Sequence, residues 1–233
     1  MYLTFGILLF YYNRPVLVRN ALQSLQETSY QHWELIFIDD SLETLPGKPI
    51  VEEYFGNDKR IKYYCTNDTM EERHKRGTSI FGKTANQGIN ESNADIMLML
   101  CDDDALYPTY LEGLNRFYLA NSDIKYSYSH IILFDPTKED YHNATMIPTF
   151  HNNLKAINPV CNVDSSQVSW RLKETRDVQF PENKTIALDA VVFGQLFQKF
   201  GNCIFNGLIG QYKGWFDGQL GKREIAKYWD YQG

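Results

Sequence analysis

The chain has 233 residues, 23 Lys+Arg against 29 Asp+Glu for a formal net charge of −6, and 43% hydrophobic content. That apolar share excludes wholesale disorder, and an acidic balance without a basic stripe argues against nucleic acid as the partner. No apolar run approaches the ~20 residues a membrane helix needs, and the N-terminus lacks the pattern of a secretory signal, so a cytoplasmic enzyme is the expectation.

Residues 4–10 form a continuous apolar run, the mark of a strand covered on both faces. The turn Tyr12-Asn13-Arg14-Pro15 follows, with Asn13 a candidate helix cap, and then Leu17, Val18, Ala21, Leu22 and Leu25 recur at helical spacing. Residues 35–38 are a second strand ending in Asp39-Asp40-Ser41. A short helix is expected at 50–55, a strand at 61–64 and a helix at 77–93. Residues 96–101 are a fourth strand, closed by Asp102-Asp103-Asp104, and Pro108 opens a helix with Tyr110, Leu111, Leu114, Phe117 and Tyr118 on its apolar face. This alternation predicts a mostly parallel sheet with helices on both faces. Beyond residue 125 the pattern loosens: a strand at 126–134, a polar loop at 136–160, a strand at 162–170 and a helix at 187–200 stopped by Gly201. The Gly- and aromatic-rich tail from Asn202 resists assignment. One α/β domain with a regular first half and an irregular second half is expected. Cys65, Cys101, Cys161 and Cys203 are too scattered for a metal knuckle or redox pair.

In an open parallel sheet, ligands collect outside the carboxyl ends of the strands. Tyr12-Asn13-Arg14, Asp39-Asp40 and Asp102-Asp103-Asp104 each end a strand and would converge there. Three successive carboxylates repel one another, and a hard cation relieves the repulsion; Mg²⁺ or Mn²⁺ sharing its shell with phosphate oxygens suits them. The alternatives are local: a turn whose Asp binds its own backbone, or an acidic residue at a helix start. Asp189, at the start of the 187–200 helix, is either a dipole-complementing residue or a general base.

Taken together and in order, these segments resemble family 2 glycosyltransferases of the GT-A fold. The opening strand with Tyr12-Asn13-Arg14-Pro15, the run His32-Trp33-Glu34-Leu35-Ile36-Phe37-Ile38-Asp39-Asp40-Ser41, and Cys101-Asp102-Asp103-Asp104 with its trailing Pro108 carry the likeness. Asp164-Ser165-Ser166-Gln167-Val168-Ser169-Trp170-Arg171 is similar to a segment on the family's acceptor side.

The resemblance implies a Rossmann-like GT-A domain over residues 1–233, with a nucleotide-sugar half at 1–104 and an acceptor half at 105–233. It implies Tyr12, Arg14, Asp39, Asp40, Lys83, Asn86, Asp102 and Asp103 around the nucleotide, and Asp102, Asp103 and Asp104 around Mn²⁺ or Mg²⁺. Counting back from Pro108 selects Asp103 as metal ligand, with Cys101 in the first position; the bare Asp-x-Asp selects Asp102 and Asp104. Ala85 stands where the family carries Arg, with Lys83 as substitute, and Leu188 stands where Glu is frequent. Asp189 is the implied base, and Asp164, Gln167 and Trp170 the acceptor side.

The implied reaction is inverting and metal-dependent. It moves a sugar from a nucleoside-diphosphate sugar, UDP or dTDP favoured, to a hydroxyl of a glycan, lipid-linked or protein-linked acceptor. A sugar-phosphate nucleotidyltransferase and an inactive sugar-nucleotide or glycan-binding module are the competing readings. The tail's Trp215-Phe216 and Tyr228-Trp229-Asp230-Tyr231 are candidates to cover the acceptor groove or an oligomer interface.

Overall fold

Strand β1 (Phe5–Tyr11) shows why its run is apolar throughout: its alternate side chains enter two different cores. Phe5, Ile7, Leu9 and Tyr11 pack on one face with Val18, Ala21, Leu22 and Leu25, while Leu8 packs on the other with Ala85 and Ile89. The fold was obtained as a computed structural model, which describes residues 1–41, 46–67, 69, 71–72, 75, 81–138, 140–144, 155–182 and 188–216. Residues 77–80 and 187, at the starts of two expected helices, lie outside them, as do much of the 136–160 loop and the tail with Tyr228 and Trp229.

The elements follow as α1 (Leu17–Glu27), β2 (Trp33–Asp39), α2 (Lys48–Phe55), β3 (Ile61–Cys65), α3 (Phe81–Asn90), β4 (Ile96–Cys101), β5 (Ala105–Leu106) and α4 (Tyr110–Ala120). Then come β6 (Tyr126–Phe134), β7 (Ala156–Ile157), a 3-10 turn (Ser165–Gln167), β8 (Val168–Arg171), α5 (Leu172–Thr175), α6 (Leu188–Phe200) and β9 (Cys203–Gly214). They build one nine-stranded sheet in the order β3-β2-β1-β4-β8-β6-β9-β5, with β7 also on β9. The four strands β3, β2, β1 and β4 are mutually parallel, and β6 runs parallel to β9. Antiparallel pairings of β8 with β4 and β6, and of β5 and β7 with β9, make the second half mixed. Helices α1, α2 and α4 cover one face and α3 and α6 the other.

Two expectations of the second half change. The strand expected at 162–170 begins only at Val168, because Asp164 caps a 3-10 turn: its carboxylate accepts from Ser166 N (3.0 Å), and the Gln167 side chain accepts from Asp164 N (2.9 Å). The unassigned tail contains β9, a strand of 12 residues that joins β6 to β5. Its glycines hide it from propensity, yet they serve close approach: a Cβ on Gly214 would overlap the Asp103 carbonyl oxygen.

Candidate active site

Parallel pairing brings the ends of β1, β2 and β4 to one edge. Tyr11 is level with Asp39, and Phe10 with Cys101, so the residues that follow lie side by side at that edge, where open parallel sheets form their ligand crevice. Backbone bonds lock the exits: Asp40 N donates to Tyr11 O (3.0 Å), and Asp102 N to Phe10 O (3.1 Å).

The turn after β1 closes over the aspartate segment. Tyr12 N donates to Asp102 Oδ2 (2.9 Å), and Arg14 donates to Asp102 Oδ1 and Asp103 Oδ2 (3.0 Å each). Arg14 is thus a countercharge built into the site, and its guanidinium lies 5.9 Å from the Phe216 ring centroid. Asn13 adopts φ +52° and caps nothing; the cap of α1 is Val16, without a side-chain bond. Tyr12 presents its ring to solvent with 43% exposure.

Asp39 is wholly buried, and its carboxylate accepts from Ser41 N (2.8 Å), Gly47 N (2.7 Å) and the hydroxyls of Ser41 and Tyr63. Four protein donors make it the organiser of the loop after β2 rather than a free acceptor for a base. Asp40, 9% exposed, is its neighbour at the crevice.

The three aspartates are buried. Burial pushes Asp102 up to about 7 against the pull of Arg14, with Asp103 adding to the rise. Asp104 accepts from Lys213 Nζ (3.2 Å) and Gly214 N (2.9 Å). Burial, Asp103 and Asp164 still push it up to about 8, with Lys213 opposing. Burial works against the Lys213 ammonium, but Asp104 and Asp164 outweigh it and hold the pKa well above its ordinary value. Lys213 also reaches Asp164 Oδ1 at 3.3 Å. Register explains the meeting: β5 and β9 pair antiparallel with Ala105 opposite Tyr212, which sets Asp104 opposite Lys213. Sequence reasoning missed Lys213 because its partner lies 109 positions away and its strand was unassigned.

Among the described residues, one group offers metal-ligand atoms within 4.8 Å of one another: Cys101, Asp103 and Asp104. Burial raises the Cys101 thiol far above its usual value, so it stays protonated and soft, a poor ligand for Mg²⁺ or Mn²⁺. Arg14 engages Asp102 and Asp103 (3.0 Å each), and Lys213 engages Asp104. A hard cation here would take carboxylate oxygens from Asp103 and Asp104, with water and diphosphate oxygens completing the shell.

Asp189 lies in the first turn of α6, where its carboxylate accepts from Ala190 N (2.9 Å). Burial raises its pKa, Asp164 adds to the rise, and the Ala190 N–H and Lys213 oppose it. Asp164 and Lys213 are thus among the charges that Asp189 feels.

Three expected site residues do other work. Trp170 is 2% exposed inside the core. Strand β8 runs antiparallel to β4 and sets Trp170 beside Met97, toward the start of β4 and away from the crevice, so it cannot stack on a sugar. Asn86 spends both ends of its amide on the Phe180 backbone, as donor to the carbonyl (3.0 Å) and acceptor from the N–H (2.8 Å). Gly82 lets the same segment close in, because a Cβ there would overlap the Pro181 carbonyl oxygen. Asn86 thus anchors the chain that leads to Asp189, and Phe180 in turn packs on Phe10 at the end of β1 (5.6 Å). Gln167 donates to Ser129 O (2.7 Å) and supports the Asp164 turn from within. Lys83 is exposed on α3.

Residues 7–174 match glycosyl transferase family 2. The chain belongs to that family. Over 103 residues it is 28% identical to a Campylobacter jejuni protein described as GalNAc(5)-diNAcBac-PP-undecaprenol beta-1,3-glucosyltransferase, covering 44% of this chain and 30% of that protein. Its fold matches S. aureus TarS 1-349 in complex with UDP (TM-score 0.70, 14% identity, 91% of this chain and 60% of that chain). It also matches the complex with UDP-GlcNAc (TM-score 0.71, 14% identity, 93% and 60%). The chain therefore spans less than two thirds of these proteins, and the structural likeness speaks to the GT-A-type fold. Among the described residues, no helix is long and apolar enough to cross a membrane.

Proposed function

We propose that the chain is an inverting, metal-dependent glycosyltransferase that takes a sugar from a nucleoside-diphosphate donor, UDP favoured, to a hydroxyl of a glycan acceptor. One observation supports the reading: the strand ends that carry Tyr12, Asp40 and the aspartate segment lie side by side at one edge of the sheet, and Lys213 ties Asp164 to that segment. A uridine donor is favoured because the TarS structures carry UDP and UDP-GlcNAc. A lipid-linked acceptor is suggested by the substrate in the name of the Campylobacter relative.

In this proposal residues 1–104 hold the donor and 105–233 receive the acceptor. The exposed Tyr12 ring stacks on the base, and Asp40 accepts the base's ring N–H, a role Asp39 is too fully bonded to take. A divalent cation held by the aspartate segment at Asp103 and Asp104 would supply Lewis-acid neutralisation of the leaving diphosphate. Arg14, shared between Asp102 and Asp103, and Lys213, shared between Asp104 and Asp164, offset only part of this carboxylate cluster's charge, which leaves a role for that cation. Asp189, whose raised pKa makes it a stronger base, takes the proton of the acceptor hydroxyl. The hydroxyl oxygen bonds to the anomeric carbon as the bond to the diphosphate breaks on the opposite face, inverting the configuration. Thermal-shift titration with UDP, dTDP and GDP, each with Mn²⁺, followed by UDP release from a panel of UDP-sugars, tests the proposal. Stabilisation by UDP and release of UDP support it; silence in both rejects it, and pyrophosphate formation from a nucleoside triphosphate and a sugar phosphate points to a nucleotidyltransferase.

A further inference from the structure

We infer that Lys213 is a positioning residue for the transfer step: its ammonium ties the acceptor-side turn at Asp164 to the donor-side aspartate segment at Asp104 and fixes the spacing across the crevice. The inference rests on the transferase reading above. Its geometry is specific. Lys213 is 8% exposed and reaches Asp104 at 3.2 Å and Asp164 at 3.3 Å. A cation so placed is costly to bury unless paired, and here two carboxylates pair it.

The backbone around it is equally fixed. Gly214 N, the next residue, bonds the same Asp104 (2.9 Å), and Lys213 itself is level with Leu133 of β6. The end of β9 is thus stapled to the aspartate segment, and the Lys213 side chain extends that staple to the turn. Without Lys213, the Ser165–Gln167 turn keeps its bonds with Ser129 (Gln167 Nε2 to Ser129 O, 2.7 Å; Ser129 Oγ to Gln167 O, 3.2 Å) and, to the end of β4, the weak Ser165 Oγ–Cys101 Sγ contact at 3.8 Å. Asp164 raises the Asp189 pKa and Lys213 lowers it, so the tie holds two opposing charges together beside the base. Misplacing reacting groups by about 1 Å can cost 10²-fold in rate, which sets the scale of the effect.

The test is a double-mutant cycle in the full chain with Lys213→Met, Asp164→Asn and the pair, reading kcat for UDP release from the UDP-sugar that the unmutated chain turns over best and Kd for Mn²⁺–UDP by calorimetry. Asn is as good a cap as Asp, so Asp164→Asn keeps the turn while cutting its charge and carries the test even if Lys213→Met fails to fold. Expected are falls in kcat of roughly 10- to 100-fold in each single variant, a Kd within about threefold, and a double variant no slower than the slower single. Unchanged kcat in Asp164→Asn, losses that multiply in the pair, or a loss that appears in Kd rather than kcat overturns the tie while leaving the transferase reading intact. No turnover and no nucleotide binding in the unmutated chain overturns both.

Discussion

Asp102→Asn should make the ligand-free protein more stable relative to the parent as pH rises. Folding lifts Asp102 from its ordinary 3.8 to about 7, because burial disfavours the carboxylate more than Arg14 favours it. At about 1.4 kcal/mol per unit, keeping it ionised costs the native state on the order of 4 kcal/mol well above pH 7. The sign follows from linkage: an acid whose pKa is raised by folding stabilises below its unfolded value and loses that stability as pH rises through the folded value. Between pH 5 and 8 roughly 3 kcal/mol of the penalty develops, and Asn escapes it. Asn also turns one donor toward either Tyr12 N or Arg14, which now bond the two carboxylate oxygens, at a pH-independent cost of about 1–3 kcal/mol. The melting temperature of the variant minus that of the parent should therefore rise by about 6–12 °C from pH 5 to pH 8. Differential scanning calorimetry across that range measures it. A difference that stays flat with pH, or falls, refutes the argument that this carboxylate is held at an electrostatic cost.

Asp189→Asn should leave Mn²⁺–UDP binding within a factor of about two and lower turnover by ~10²–10⁴, as stopped-point UDP release and calorimetry will show; full activity removes Asp189 as base. Exhaustive chelation should abolish nucleotide release and added Mn²⁺ restore it, whereas undiminished release in chelator rejects the metal. His142 bonds Asp140 (2.7 Å) and Glu27 (2.9 Å); burial opposes its charge, but these two carboxylates win and raise its pKa. His142→Gln should thus cost up to about 1 kcal/mol near pH 5.5, discounted for solvent exposure, and little once pH passes the raised folded value; equal melting shifts at pH 5.5 and 8.5 would contradict this. Trp170→Phe should lower stability in denaturant unfolding without a selective rise in acceptor KM, since its ring packs in the core.

The first half of the fold and its aspartates were legible for a physical reason. Strands covered on both faces must be apolar at every position, so β4 (Ile96–Cys101) appears in the sequence with its observed limits, and the polar residues that break such runs are those that leave the sheet at its ligand edge. The second half resists because its information is long-range. Trp170 follows Asp164 closely in sequence, but the antiparallel course of β8 carries it from the crevice into the core, a reversal no local pattern encodes. Strand β9 has glycine where Gly214 meets Asp103, where Gly210 meets Ser129 and where Gly207 takes φ +75°, and local propensity counts all three as breakers. Lys213 is visible only once β5 and β9 are in register. Asn86 and Asp39 show a related limit: motif position singles them out for the nucleotide, while the bonds they make hold the Phe180 segment and the loop after β2.

The donor crevice can be tested directly by diffraction from crystals soaked with Mn²⁺ and UDP, collected at the manganese edge. The account predicts one anomalous peak at the Asp103 and Asp104 carboxylates with the diphosphate beside it and the uracil against Tyr12 and Asp40. A peak on other residues, or UDP bound elsewhere on the chain, contradicts it.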